Sequence, residues 1–274
     1  MTHKFQGFDV GGSSVKAGLV DVEGGRLVGE LMHAPTPQPA TPQGVMEVIA
    51  GLSRRMPEAG DGVGIALPSV VQKGVVRTAA NIDRSWIGTD AAALALKVLQ
   101  RPAECLNDAD AAGFAEMRWG AGKGETGMVF MLTFGTGIGS ALFYGGKLVP
   151  NTELGHLELR GMDAEKWASA HVKTALNLDW AAWIERVNDY LERMHALFWP
   201  DLFILGGAVS ERFDDFARLL RSPARIAPAK FAGQAGVIGA ALAATERARA
   251  GSEGIPSGEP AREPPAGAAE ASSR

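Results

Sequence analysis

Apolar runs at residues 5–10, 14–21 and 26–34 open the chain and predict three strands. Pro35, Pro37, Pro39 and Pro42 break that pattern, and Thr41 is placed to cap a following helix. In that helix Val45, Val48, Ile49, Leu52 and Met56 recur at i, i+3, i+4, i+7 and i+11, which makes one buried face. A strand at 62–67, a loop-rich stretch at 68–88, a helix from about Thr89 to Leu99 and a strand at 103–106 follow. The last of these delivers the chain to Asn107-Asp108, and a helix is predicted over 109–121.

The order then starts again. Strands are predicted at 127–133, 139–144 and 147–149, then a polar loop at 150–161. A long helix at 178–198 carries an apolar stripe that includes Trp180, Trp183 and Tyr190, read as core packing. A short strand at 202–205 ends in Gly206-Gly207, Ser210 is placed to cap a helix to Leu220, and a last helix begins at Gln234 or Ala235 and runs to about Arg249. A β-β-β-α-β-α-β order is thus followed by a second β-β-β. The repeat is one of topology and not of residues. It predicts two related α/β domains around a cleft: a small one at 1–108 and a larger one at 109–234, with the helix at 235–249 packing back on the first.

Composition narrows the classes. The 274 residues are 46% hydrophobic and 21% charged with a net charge of −4, which suits a globular protein and argues against a general affinity for nucleic acid. No apolar run approaches the roughly 18 residues of a membrane span. A lone cysteine, Cys105, rules out an internal disulfide and a multi-cysteine zinc site and points to a reducing cytoplasm. Four residues precede the first strand, so neither a secretory leader nor an N-terminal DNA-binding domain is expected. Residues 251–274 are nearly all Gly, Pro, Ser, Ala, Glu and Arg, a composition that predicts a disordered tail.

Candidate chemistry gathers at four places. Two glycine turns, Asp9-Val10-Gly11-Gly12-Ser13-Ser14 and Thr133-Phe134-Gly135-Thr136-Gly137, each join two apolar runs. Glycine lets a backbone approach an anion closely, so the paired turns can cradle a phosphate chain; each alone is equally a plain hairpin turn. Asp9 either orients a hydrated Mg²⁺ or caps its turn, and Lys16 either offsets phosphate charge or is a solvated strand lysine. Asn107-Asp108-Ala109-Asp110 lies where a strand meets a helix; its polar groups are either N-caps or a catalytic carboxylate that accepts a proton from an attacking hydroxyl. An ordinary Asp with a pKa of about 4 suffices for that step.

The third place is Asn151-Thr152-Glu153-Leu154-Gly155-His156, with Glu158 and Glu165 beyond. A carboxylate and an imidazole so spaced can bind sugar hydroxyls, or His156 can bond a loop carbonyl. Gly206-Gly207 is either room for an adenosine or phosphate tail or a tight strand-to-helix turn. A long polyanion would also need basic residues, and Lys16, Lys73, Arg77, Arg84, Lys123 and Lys230 are scattered along the chain.

Over about residues 5–245 these motifs resemble the ROK family of repressors, open reading frames and sugar kinases. The longer runs that carry the likeness are 36–42, 74–81, 85–89, 132–140 and 150–158. The resemblance implies a two-domain actin-like (ribonuclease H-like) ATPase fold with an interdomain active-site cleft. Within the family the chain looks most like the actinobacterial members that phosphorylate glucose with polyphosphate, including the type that also takes mannose. It implies Asp108 as catalytic base and Asn107, Glu153, His156 and Glu165 as sugar-binding positions. Asp9, Gly11, Gly12, Ser13, Lys16, Thr133, Gly135, Thr136 and Gly137 then hold phosphate, and Gly206-Gly207 lies on the adenosine side. Polyphosphate and ATP are the implied donors, Mg²⁺ the implied cofactor and a homodimer the implied assembly. The cysteine-rich zinc motif of many members is missing after His156, so structural zinc is not expected. The rival readings are an ATP-only hexose or N-acyl-hexosamine kinase and a non-catalytic sugar sensor.

Overall fold

The computed structural model describes residues 3–57, 60 and 62–252. Residues 253–274, most of the predicted tail, lie outside the described residues. The first part holds β1 (Lys4–Val10), β2 (Ser14–Asp21), β3 (Arg26–Leu27), β4 (Met32–Pro35), α1 (Pro42–Ser53), β5 (Val63–Leu67), β6 (Val71–Gln72), β7 (Val75–Val76), α2 (Ala91–Leu99) and β8 (Ala103–Asn107). The second holds α3 (Asp108–Trp119), β9 (Met128–Phe134), β10 (Ile138–Tyr144), β11 (Lys147–Val149), β12 (Glu158–Leu159), β13 (Met162–Asp163), α4 (Ala164–Ala168), α5 (Ala170–Ala175), α6 (Trp180–Phe198), β14 (Leu202–Gly206), α7 (Phe213–Phe216), β15 (Arg225–Pro228) and α8 (Ala235–Ser252).

The topological repeat is complete. One sheet runs β3-β2-β1-β5-β8 and the other β11-β10-β9-β14-β15. In both, the first hairpin is antiparallel and the next two strands join it in parallel. The glycine turns β1–β2 and β9–β10 therefore occupy equivalent corners of the two sheets.

Local chemistry explains most elements. Thr41 accepts from Gly44 N at 3.3 Å and Pro42 opens α1, which buries Val45, Met46, Ile49, Ala50 and Leu52. Trp183 and Tyr190 of α6 are buried in the second core with Phe130, Phe134 and Phe203. The last helix is rich in Gly and Ala, and that lets it lie at backbone distance from its neighbours. A Cβ on Gly7 of β1 or Gly64 of β5 would strike the carbonyls of Val237 and Ala240, and a Cβ on Gly239 would strike that of Ala111 in α3. So α8 packs on the first sheet and also against α3.

Three expectations need correction. The strand predicted at 26–34 is two short pieces, β3 and β4, both paired with β2. Gly29 at φ 89° turns the chain between them. The helix predicted from Ser210 to Leu220 is α7 flanked by 3₁₀ turns at Ala208–Arg212 and Ala217–Leu219. Ser210 does not cap it; its hydroxyl donates back to the Gly207 carbonyl at 2.8 Å. Stacking of Phe216 on Trp180, with centroids 4.9 Å apart, holds the segment by packing where helix propensity alone predicts a regular helix. The stretch 68–88 is loop-rich, as read, and within it Lys73 and Gly74, at φ 51° and 79°, turn β6 into β7. No described helix is long and apolar enough to cross a membrane.

Candidate active site

Both glycine elbows open on one cleft. Gly11, Gly12 and Ser13 of the first and Gly135, Thr136 and Gly137 of the second line a cavity of about 530 Å³. Their carbonyls are tied by neighbours. Gly11 O accepts from Thr36 Oγ1 at 2.6 Å, Gly12 O from Gln38 Nε2 at 3.2 Å and Gly135 O from His171 N at 3.0 Å. An anion would thus meet turns whose acceptors are already engaged.

Asn107 and Asp108, where β8 hands over to α3, line the same cavity. Asn107 is the N-cap of α3: its Oδ1 accepts from Ala109 N at 2.8 Å and Asp110 N at 3.0 Å. Its amide nitrogen donates to Ser69 O at 3.3 Å and carries a second N–H. Capping and cleft lining are therefore compatible. Asp108 Oδ1 accepts from Ala109 N at 2.8 Å. Burial pushes the Asp108 carboxyl up to about 7; the negative charges of Asp9 and Glu153 add to this and the Ala109 N–H opposes it. The sequence suggests an ordinary carboxylate, and the structure corrects that: a desolvated Asp among like charges is a far better proton acceptor near neutral pH. A pH profile checks this. Below an apparent pKa near 7, kcat/KM should fall about tenfold per pH unit as Asp108 takes up a proton, and level off above it. A profile flat down to pH 5 would contradict the assignment.

Glu153, His156 and Glu165 complete the cavity wall. Their loop is pinned by Ser140, whose Oγ donates to Thr152 O at 2.7 Å and accepts from Leu154 N at 3.0 Å, and by the Tyr190 hydroxyl, which donates to Leu154 O at 3.2 Å. The His156 ring lies among carboxylates, not on a loop carbonyl: Nε2 is 3.8 Å from Glu153, and Nδ1 is 3.9 Å from both Asp163 and Glu165. Burial raises the Glu153 pKa, the charge of Glu165 adds to that, and His156 opposes it. Glu165 also accepts from Ile138 N at 3.4 Å, beside the second elbow. Ligand atoms of His156, Asp163 and Glu165 fall within 4.8 Å of one another, close enough to share a cation, but Asp163 already pairs with Lys166 at 2.7 Å.

Other predicted residues stand off the cavity wall. Asp9 lies behind the first elbow against Gly236, with Lys16 Nζ 3.4 Å from its carboxylate. Burial raises the Asp9 pKa and Lys16 opposes this. Lys16 donates also to Gly233 O at 3.1 Å, so it is neither a solvated lysine nor a cleft-lining one. Gly206 pairs with Thr133, and Gly207, at φ 83°, packs on the Phe134 carbonyl; they back the second elbow without lining the cavity. None of the six scattered basic candidates lines it. Ser69, Thr78 and Asn81 do, a wall that carries no periodic signal in sequence; the two-residue turn Lys73-Gly74 between Val-rich pairs was the sign of an ordered hairpin there.

The ROK family model matches residues 5–171. The polyphosphate glucokinase of Mycobacterium tuberculosis is 46% identical over 242 residues, 86% of this chain and 89% of that protein. The chain belongs to the ROK family. Two solved structures extend the likeness to three dimensions. The inorganic polyphosphate/ATP-glucomannokinase of Arthrobacter sp. strain KM is 46% identical, with a TM-score of 0.86 over 89% of this chain and 99% of that one. The ROK family glucokinase of Streptomyces griseus, in complex with glucose and AMPPNP, is 26% identical, with a TM-score of 0.74 over 89% and 99%. The duplicated mixed sheets are thus the actin-like α/β architecture of ROK proteins.

Proposed function

We propose that this ROK protein is a kinase that transfers a phosphoryl group from inorganic polyphosphate, and also from ATP, to the 6-hydroxyl of glucose. The observation that carries the reading is the meeting of both glycine elbows, Asp108 and the Glu153–His156 loop in one cleft. Relatives named for polyphosphate and glucose, at 46% identity over most of the chain, support the choice of donor and acceptor. Mannose is a second acceptor on this reading, in line with the Arthrobacter glucomannokinase.

In this mechanism Asn107, Glu153, His156 and Glu165 hold the sugar hydroxyls and Asp108 aligns the 6-hydroxyl. The sugar oxygen bonds to the terminal phosphorus as the bond from that phosphorus to the donor's bridging oxygen breaks. Asp108 takes the hydroxyl proton and the shortened donor leaves with the electron pair. Gly12, Ser13, Thr136 and Gly137 on the cleft wall face the donor with backbone and hydroxyl groups; Gly11 and Gly135 shape the elbows, their N–H groups donating to Ser14 O and Gly137 O, and Thr133 stands behind the second elbow. The two parts, 1–108 and 109–234, close as two domains on the cleft and exclude water.

Mg²⁺ suits this site. Asp9 and Asp108 are half-buried carboxylates, the charge of Asp9 raising the Asp108 pKa, and a nearby divalent cation would relieve that repulsion. Asp9 would hold the ion through water, and the ion would neutralise donor charge. We place the protein in the cytoplasm, given its single buried thiol, and as a homodimer by analogy with its family.

Initial rates with glucose, mannose and N-acetylhexosamines, each with polyphosphate and with ATP, test the reading. Glucose with polyphosphate should turn over. Activity with ATP alone would leave a plain hexose kinase, and sugar binding without transfer would leave a sensor.

A further inference from the structure

Three side chains and the backbone of residues 69–71 form a closed circuit of hydrogen bonds behind the cleft. Asp110 sits in the first turn of α3, is 2% exposed, and accepts from Asn151 N through Oδ2 at 2.8 Å. The Asn151 side chain then pairs with the backbone of Val71 in strand fashion: Oδ1 accepts from Val71 N and Nδ2 donates to Val71 O, each at 2.9 Å. Two residues before Val71, Ser69 O accepts from Asn107 Nδ2, and Asn107 Oδ1 accepts from Asp110 N. The circuit thus ties together the start of α3, the 150–156 loop and the β6–β7 hairpin, which come from both parts of the molecule.

Its position gives it a role. Asn107 and Asp108 lie within the circuit's span of α3, and Glu153 follows Asn151 by two residues. Ser69 and Thr78, on either side of the hairpin, line the cleft, and Thr78 Oγ1 accepts from Val70 N at 2.9 Å. Asp110 and Asn151 do not line the cleft. With Val71 they line a separate cavity of about 420 Å³, and Asn107 lines both. The circuit is therefore the partition behind the sugar-facing groups. Asn151 is at φ 59°, a left-handed position that Asn tolerates and Gly accepts freely.

Resting on the sugar-kinase reading above, we propose that Asp110 and Asn151 are positioning residues: they lock the Glu153–His156 loop onto the first half of the molecule and so set the sugar's distance from Asp108. Oδ2, through the bond from Asn151 N, is the side-chain oxygen by which Asp110 joins the circuit; Oδ1 has no partner among the described residues.

The test uses the full chain with glucose and polyphosphate. The wild-type protein must first phosphorylate glucose; failure there sinks the kinase reading and with it this one. Asn151→Gly keeps the left-handed backbone and the bond to Asp110 but deletes both bonds to Val71. Loss of two part-buried hydrogen bonds should raise the glucose KM by about tenfold, with the polyphosphate KM moving less than about twofold. Asp110→Ala should do the same, Asp110→Asn should keep the glucose KM near wild type because its carbonyl still accepts from Asn151 N, and the Asn151→Gly/Asp110→Ala pair should be less than additive. An unchanged glucose KM, equal rises in both KM values, or failure of both single variants to fold would overturn the proposal.

Discussion

Asp108→Asn should lower kcat with glucose and polyphosphate by about 10²–10⁴-fold, the usual worth of a positioned general base. The amide oxygen can still accept from Ala109 N, as Asp108 does at 2.8 Å, so the start of α3 stays intact. The same variant should also change stability, in the opposite sense. The folded protein holds the Asp108 pKa at about 7, above the ordinary 3.8, because its charged form is buried beside Asp9 and Glu153. A group whose pKa is raised on folding stabilises fully below its unfolded pKa, and that contribution is lost as pH climbs through 7. Asn does not titrate. Asp108→Asn should therefore melt above wild type at pH 8, and the gap should close toward pH 4. Loss of activity with a lower melting point at pH 8 would point to a structural defect and not to a missing base.

Gly239→Ala should be the most destabilising single methyl in the protein's central layer. The new Cβ would run into the backbone carbonyl of Ala111, and two helix backbones cannot step apart there without moving α8 off Gly7 and Gly64 as well. A cost on the order of 3 kcal/mol, the upper end of overpacking, is expected in urea unfolding. Activity should drop too, since α8 carries Gly236, which packs on the Asp9 carboxylate. Gly51→Ala in α1 is the matched control: nothing lies within 4 Å of its added Cβ, so better helix propensity should stabilise by about 0.5–1 kcal/mol. Equal effects from the two substitutions would contradict the close α3–α8 crossing.

Much of this was legible in the residues. The periodicity of α1 and α6 and the cap at Thr41 marked real elements, and the two glycine turns marked equivalent corners of two sheets. What escaped was set by tertiary packing. No local signal separates β3 from β4 except Gly29, and the 3₁₀ turns on either side of α7 carry no local signal of their own. The short edge strand β15, ending in Pro228, lacks alternation, so the second sheet's last member was invisible. At the site, residue type and spacing singled out Asp108, Glu153 and His156, but not their mutual effect. The raised pKa of Asp108 comes first from burial and then from the charges of Asp9 and Glu153, all set by residues brought together across large gaps in sequence. Asn151 likewise stands at the head of the third candidate segment, but its pairing with Val71 shows only once the β6–β7 hairpin lies beside it.

The most direct measurement is phosphorus NMR of the product. Incubated with glucose, polyphosphate and Mg²⁺, the protein should convert terminal polyphosphate signal into the monoester signal of glucose 6-phosphate, and that signal should vanish with Asp108→Asn. If only orthophosphate accumulates, or if the monoester forms at another hydroxyl, then the elbows, Asp108 and the Glu153–His156 loop do not cooperate on a sugar 6-hydroxyl and the account fails.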